Sequence, residues 1–262
     1  QNNCTNLTAT VLQTGQTSAY TVSSIPYAPP AAFNSGTQLL IGTDDIWGDV
    51  INLGFNFCFY GNMYNQAVVG ANGLITFDLT EATQYCEWSY TALCPTPGPP
   101  PAGLYNNSIM GAYHDIDPSV GGTISYSLIG AAPCRMLVVN FNNVPHFDCD
   151  CTIPVFLGGT CSHTTQQIVI YETTNVVEVY IQQKEQCGSW NSGNATIGIQ
   201  DATGANGVTP PGRNTGDWAA NNEAWRFTPS GPPNWVVTWY DQGNNVIGNG
   251  LTVNVCPTGT TT

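Results

Sequence analysis

Positive charge is almost missing from this chain of 262 residues. It has four Lys and Arg residues against 17 Asp and Glu residues, a formal net charge of −13 and only 8% charged residues. Four scattered cations cannot follow a phosphate backbone or hold an anionic bilayer, so we expect no nucleic-acid partner and no docking by charge onto a membrane. No apolar run reaches the roughly 20 residues of a membrane-spanning helix, so we expect no membrane insertion. No Lys- or Arg-led apolar leader is visible, and we expect the sequence to be a mature form.

Alternation of apolar and polar residues dominates the chain, as it does in half-buried strands. The odd-numbered residues from Ile51 to Phe59 are all apolar, with Asn, Gly and Cys between them. Residues 136–141 and 168–171 are largely apolar at both parities, which predicts central strands. We therefore expect an all-β fold, a disulfide-cross-linked β-sandwich of the jelly-roll or immunoglobulin-like type.

Helix signals are poor, and turn signals are strong. The stretches that come nearest to helical periodicity are 80–88 and 218–225, each a few turns at most. Asn72-Gly73 lies between two apolar runs and predicts a hairpin turn, and residues 173–175 predict a second one.

A Pro- and Gly-rich stretch at 229–234 predicts a linker. It separates a main β-sandwich domain, 1–228, from a short C-terminal immunoglobulin-like β segment, 235–262. That segment has too few strands for a sandwich of about 100 residues, so its apolar residues need strands from elsewhere. Two outcomes stay open. In one, subunits associate head to tail through their terminal strands and build a filament. In the other, the tail folds back on its own main domain, and a bond between Cys4 and Cys256 is one way to hold it there.

Ten cysteines make an even and dense set. They are Cys4, Cys58, Cys86, Cys94, Cys134, Cys149, Cys151, Cys161, Cys187 and Cys256. No C-x2-C pair of the kind used by zinc knuckles occurs, so disulfides in an exported protein are the favoured interpretation and metal binding is the alternative. Local spacing suggests that Cys86 pairs with Cys94, and that Cys149 or Cys151 pairs with Cys161. Cys58 and Cys134 lie in apolar strands and could each join distant strands.

Two acidic turns are candidate calcium sites. Asp115 and Asp117 alternate before a Gly-Gly turn, as in part of a calcium loop. Asp44, Asp45 and Asp49 form the second candidate. The alternative is that both stretches are simply Asx-rich turns.

Sugar binding and catalysis are weaker possibilities. Trp88, Trp190, Trp218 and Trp235 lie in loop-like sequence and could stack on sugars, or could pack in the core. No G-x-S-x-G motif accompanies the three histidines, and no spacing distinguishes a pair of carboxylates as the acid and base of a hydrolase. We therefore expect no enzymatic activity.

Several stretches together resemble a known group of proteins. They are 53–61 (LGFNFCFYG), 69–77 (VGANGLITF), 113–122 (YHDIDPSVGG), 168–181, 212–214 and 222–227 (NEAWRF). The pattern is similar to large surface proteins of Bacteroidota, the gliding-motility-associated adhesins exported by type IX secretion, and it also resembles nidogen-type extracellular domains. The tail from 237 to 262 resembles the opening of an immunoglobulin-like repeat.

This resemblance implies an exported, cell-surface module without catalysis. Our leading hypothesis is a structural or adhesive part of a bacterial surface appendage or filament. The alternative is a secreted carbohydrate-binding, lectin-like module that uses exposed Trp residues and calcium, with surface glycans as partners.

Overall fold

Two antiparallel β-sheets face each other in the computed structural model of the chain, which describes residues 4–11, 14–39, 42–149, 162–233 and 235–256. Strands are numbered along the chain. The first sheet has the spatial order β2 (Tyr20–Ser24), β15 (Ala220–Pro229), β11 (Val177–Lys184), β10 (His163–Tyr171), β9 (Met136–Pro145), β8 (Thr123–Ile129) and β3 (Thr37–Gln38). The second has the order β13 (Gly207–Val208), β12 (Asn194–Gln200), β7 (Ser108–Tyr113), β6 (Leu74–Thr76), β5 (Asn62–Gly70) and β4 (Trp47–Phe59), with β14 (Asn214–Asp217) also paired to β12.

The main core lies between these sheets and confirms the all-β sandwich. The predicted apolar parity of β4 points inward, and Leu53, Phe57 and Phe59 are fully buried there. The runs that are apolar at both parities form β9 and β10, which lie side by side within the first sheet. Both predicted hairpins form, with turns between β5 and β6 and between β10 and β11.

Loop segments cover the outer faces of both sheets. Residues of 82–105, among them Tyr90 and Leu104, pack over the outer face of the second sheet against Trp47 and Leu74. Residues 25–31 pack over the first sheet in the same way. Because both faces of the central strands are covered, side chains at both parities are buried.

Most of the stretch 218–225, one of the two that come nearest to helical periodicity, belongs to β15, which pairs with β11 and β2. Its apolar residues face two covered sides of a sheet, a pattern that short-range periodicity cannot separate from a buried helical turn. At 80–88 the structure has a single 3₁₀ turn, Leu79–Glu81, and a second 3₁₀ turn spans Asn191–Gly193. Within the described residues, no helix is long and apolar enough to cross a membrane.

The terminal strands pair with each other. β1 (Thr5–Thr8) is antiparallel to β18 (Thr252–Val255), and β16 (Thr238–Tyr240) pairs with β17 (Val246–Asn249). A disulfide between Cys4 and Cys256 closes the β1–β18 pair. The structure therefore has the fold-back arrangement, and the strands on which head-to-tail assembly was based bond within one chain. Self-association of the chain stays a prediction.

Only part of the expected disulfide set forms among the described cysteines. Besides Cys4–Cys256, Cys149 bonds to Cys187 and not to Cys161. The thiols of Cys58, Cys86, Cys94 and Cys134 are free. Cys151 and Cys161 lie outside the described residues.

Sheet geometry explains why Cys86 and Cys94 do not pair. The Cys86 sulfur lies against Gly70 of β5, whereas the Cys94 sulfur lies against Gly198 of β12. Three strand spacings separate β5 from β12, about 14 Å at about 4.8 Å each. Such a distance is far beyond the reach of a disulfide.

Candidate metal-binding site

The two acidic turns, predicted as separate sites, meet at one place in the structure. Asp44 and Asp45 directly precede β4, and Asp115 follows β7. One carboxylate oxygen from each of these three residues lies within 4.8 Å of the other two. We call Asp44, Asp45 and Asp115 the acidic group.

A buried asparagine from the predicted hairpin turn joins the two acidic turns. The Nδ2 of Asn72 donates hydrogen bonds to Asp45 Oδ1 at 2.9 Å and to the Cys86 carbonyl at 2.8 Å. Its Oδ1 accepts from the backbone N–H of Ile116 at 3.1 Å. Gly73, the next residue, has φ +88°, and a Cβ there would lie 2.3 Å from the Ala112 carbonyl oxygen. The Asn-Gly pair is therefore required by the site as well as by the turn.

Hydrogen bonding leaves two carboxylate oxygens of the acidic group without a donor. Asp45 accepts from Asn72 and from the Tyr85 hydroxyl, and Asp115 Oδ2 accepts from Trp190 Nε1 at 2.7 Å. Asp44 Oδ1 and Asp115 Oδ1 are buried and have no hydrogen-bond partner among the described residues. Asp115 is only 5% exposed. A buried acceptor without a partner is unfavourable by about 1–3 kcal/mol, and a bound cation would remove that penalty.

Burial and mutual repulsion make these carboxyls hard to ionise. Burial, followed by the negative charges of Asp45, Asp44 and Asp117, raises the pKa of Asp115 to about 8. Burial and the same kind of repulsion raise the pKa of Asp44 to about 7, and burial is also the main cause that raises the pKa of Asp45. The fold thus holds the three carboxyls together although this arrangement disfavours their ionised form. Strongly shifted pKa values of this kind are typical of functional sites.

Among the described residues, no Lys or Arg side chain has an ion pair or a hydrogen bond with the acidic group. The three arginines pair with glutamates elsewhere: Arg135 with Glu172, Arg213 with Glu223 and Arg226 with Glu178. The single lysine, Lys184, donates to the backbone carbonyls of Glu185 and Trp218. Since the chain has four Lys and Arg residues in all, each of them has partners other than the three carboxylates of the acidic group.

Asp117 and Asp49, two of the five predicted ligands, are not in the acidic group. Asp117 is buried nearby, but its Oδ1 accepts from the backbone N–H of Ser119 at 2.8 Å, which is the Asx turn that we considered as the alternative. Asp49 is exposed on β4. A further set of metal-ligand types, His146, Cys149 and Cys187, also lies together, but its two sulfurs are bonded to each other.

Aromatic side chains border the acidic group. Trp190 packs against Trp88, with ring centroids 5.3 Å apart, and against Phe147, at 5.0 Å. Tyr85, which is 57% exposed, donates to Asp45 Oδ2 at 3.1 Å. We call Tyr85, Trp88, Phe147 and Trp190 the aromatic rim. Trp88 and Trp190 were recognisable from the sequence as candidate ligand-binding residues. Tyr85 and Phe147 gave no signal, and Asn72 gave only that of its Asn-Gly turn.

The other two tryptophans considered for sugar binding lie away from this site. Trp218 is 7% exposed, and its Nε1 donates to the Ala195 carbonyl at 2.8 Å, so it belongs to the core. Trp235 is half-buried in the segment that follows β15.

Comparison with known proteins gives one family. A family model described as NIDO related matches residues 19–229, which include every strand from β2 to β15 and the whole acidic group. No curated protein and no solved structure matches the chain significantly. The matched range covers most of the chain and ends at the last residue of β15. With its β-sandwich and its disulfides, this chain is a nidogen-like extracellular module that belongs to the NIDO-related family.

Proposed function

We propose that this module binds calcium through the acidic group and serves, without catalysis, as a structural or adhesive part of a bacterial cell surface. The observation that carries the proposal is the convergence of three carboxylates around buried, unpartnered oxygens of Asp44 and Asp115. The resemblance of several stretches to Bacteroidota surface proteins supports the location, and the disulfides fit an oxidising environment.

Calcium fits the donor set better than other common ions. All three residues of the group offer oxygen and none offers nitrogen or sulfur, which favours a hard cation over zinc or copper. Calcium accepts irregular sets of 6–8 oxygens, whereas magnesium demands near-ideal octahedral geometry. Extracellular modules bind calcium with dissociation constants of about 0.1–1 mM, which matches its concentration outside cells in many habitats.

The same geometry argues against hydrolysis. The carboxylates surround one point, whereas glycosidases place two of them on opposite sides of the bond to be cleaved. Two of the three histidines, His114 and His146, are 4% and 2% exposed, and their Nε2 atoms lie 2.9 and 2.8 Å from the Thr164 hydroxyl. Burial lowers the pKa of both rings, to about 3 for His146, so neither is poised for proton transfer near neutral pH.

Calorimetric titration of the EDTA-stripped protein with calcium tests the proposal. We expect one equivalent to bind, with a dissociation constant of about 0.1–1 mM. Asp115→Asn should abolish this binding, because it removes the most buried carboxylate. Asp49→Asn is the matched control, since it removes an exposed carboxylate of the neighbouring strand and should bind calcium like the native chain. Absence of binding at 10 mM calcium, or unchanged binding by Asp115→Asn, would contradict the proposal.

A further inference from the structure

Two members of the aromatic rim, Trp190 and Tyr85, hydrogen-bond directly to the acidic group. The indole nitrogen of Trp190 donates to Asp115 Oδ2 at 2.7 Å, so this ring and a carboxylate of the acidic group share one orientation. Trp190 is half-buried, and so is Trp88, whose ring lies against it. Tyr85 reaches the same group from another side through Asp45.

A disulfide joins the two loops that carry Phe147 and Trp190. Cys149 follows Phe147 after β9, and Cys187 precedes Trp190 after β11; the two sulfurs are bonded. The backbone N–H of Trp190 also donates to the Cys187 carbonyl at 3.2 Å. The aromatic surface is therefore pre-organised, which reduces the entropy lost when a ligand is bound.

An ion in the acidic group would keep free coordination positions. Calcium takes 6–8 oxygen ligands, and three carboxylates cannot supply that number when several of their oxygens already accept hydrogen bonds from Asn72, Tyr85 and Trp190. The remaining positions are open to water or to a ligand with neutral oxygens. Adjacent hydroxyl groups of a sugar have the spacing to occupy two such positions on one ion.

We infer that the site binds neutral saccharides, with the face of a sugar ring on Trp88 and Trp190 and two vicinal hydroxyls on the calcium ion. This inference rests on the calcium site of the proposed function. The net charge of −13 and the pairing of all three arginines with glutamates favour neutral glycans over sulfated or sialylated ones. A cationic ligand could also contact the carboxylates and the aromatic rings, but it would compete with calcium. A cationic ligand should therefore bind better in EDTA, whereas a neutral sugar held by calcium should bind only in calcium.

An array of immobilised neutral glycans, probed with the full chain in 2 mM calcium and in EDTA, tests the inference. We expect binding to glycans with accessible vicinal hydroxyls in calcium and a loss of at least tenfold in EDTA. Trp88→Ala should weaken glycan binding at least tenfold, because it removes half of the stacking surface and none of the carboxylates. Trp235→Ala, which changes a half-buried tryptophan outside the site, should bind glycans like the native chain.

Calcium titration of the same preparations separates the two ideas. If calcium binds but no neutral glycan is retained, or if Trp88→Ala retains full glycan binding, the saccharide inference is wrong and the calcium site stands. Glycan binding that persists in EDTA also overturns it, as does binding of cationic ligands alone in EDTA. If calcium itself does not bind, the proposed function fails and this inference fails with it.

Discussion

Replacing Asp115 by Asn should stabilise the protein in the absence of calcium. Burial and like charges raise the pKa of this carboxyl to about 8 from 3.8, so the native state resists its ionisation. One pKa unit corresponds to about 1.4 kcal/mol, which bounds the penalty at pH 7.5 at about 5 kcal/mol. The amide of Asn is itself a buried polar group, and its burial offsets about 1–3 kcal/mol of the gain.

The net gain is therefore about 2–4 kcal/mol, and it translates into a measurable shift. With an unfolding entropy of about 2.1 cal/mol/K per residue, this chain should melt about 4–7 °C higher when Asp115 is replaced. Trp190 can keep its hydrogen bond, because the amide oxygen of Asn accepts in place of Oδ2. Calcium should offset most of this difference, since at 100 times its dissociation constant it adds about 2.7 kcal/mol to the native chain alone.

The pH dependence of the folding stability tests the same carboxyls in a second way. Because the folded pKa values of Asp115 and Asp44 are raised, to about 8 and about 7, the native state holds protons that the unfolded chain releases above pH 4. Stability in EDTA should therefore fall as the pH rises from 5 to 8.5, and it should fall less in Asp115→Asn. Differential scanning calorimetry at pH 5.5, 7.0 and 8.5 measures this. A variant that melts below the native chain in EDTA at pH 8.5, with unchanged near-UV circular dichroism, would refute the reasoning.

Three further outcomes are expected. Gly73→Ala places a side chain at φ +88° and against a carbonyl oxygen. Thermal melts should therefore show a loss of about 3 kcal/mol in unfolding free energy, and calcium titration should show weaker binding. Native-like values would contradict the role of the turn. Cys256→Ser frees Cys4 and removes a cross-link between the ends of β1 and β18, which should lower the unfolding free energy by about 2–4 kcal/mol in denaturant titrations; an unchanged midpoint would show that the link restrains little. Iodoacetamide followed by peptide mass spectrometry should label exposed Cys134 in the native protein and buried Cys86 only after unfolding, and equal labelling of both would contradict the packing.

The sequence predicts those parts of the fold that depend on near neighbours. The alternation from Ile51 to Phe59 appears directly as the inward face of β4, and the turn at Asn72-Gly73 forms where it was expected. Both signals are local, because the two-residue period and the turn propensity act over a few residues. The weak helical periodicity of 218–225 is misleading for the same reason. The pattern is local, whereas the strands that pair with this stretch are distant in sequence.

The acidic group could not be assembled from sequence. Asp45 and Asp115 are 70 positions apart, and they belong to loops next to β4 and β7, which are separated by β5 and β6 in the sheet. Their meeting depends on strand order and on the bridge that Asn72 makes, neither of which leaves a short-range pattern. The acid-rich turns were therefore recognisable as candidate ligands, but two weak sites were predicted where the structure has one group.

The disulfide between Cys4 and Cys256 has a mechanical consequence for an extracellular protein. It links positions 252 apart in sequence, with Cα atoms 3.9 Å from each other, beside the β1–β18 ladder. Tension applied to the chain on the far sides of these two cysteines would run through this single covalent bond. The sandwich between the two cysteines would bear none of this tension, because the disulfide already connects the two points at which the force acts. The acidic group and the aromatic rim would thus keep their geometry under forces that unravel a domain held only by hydrogen bonds.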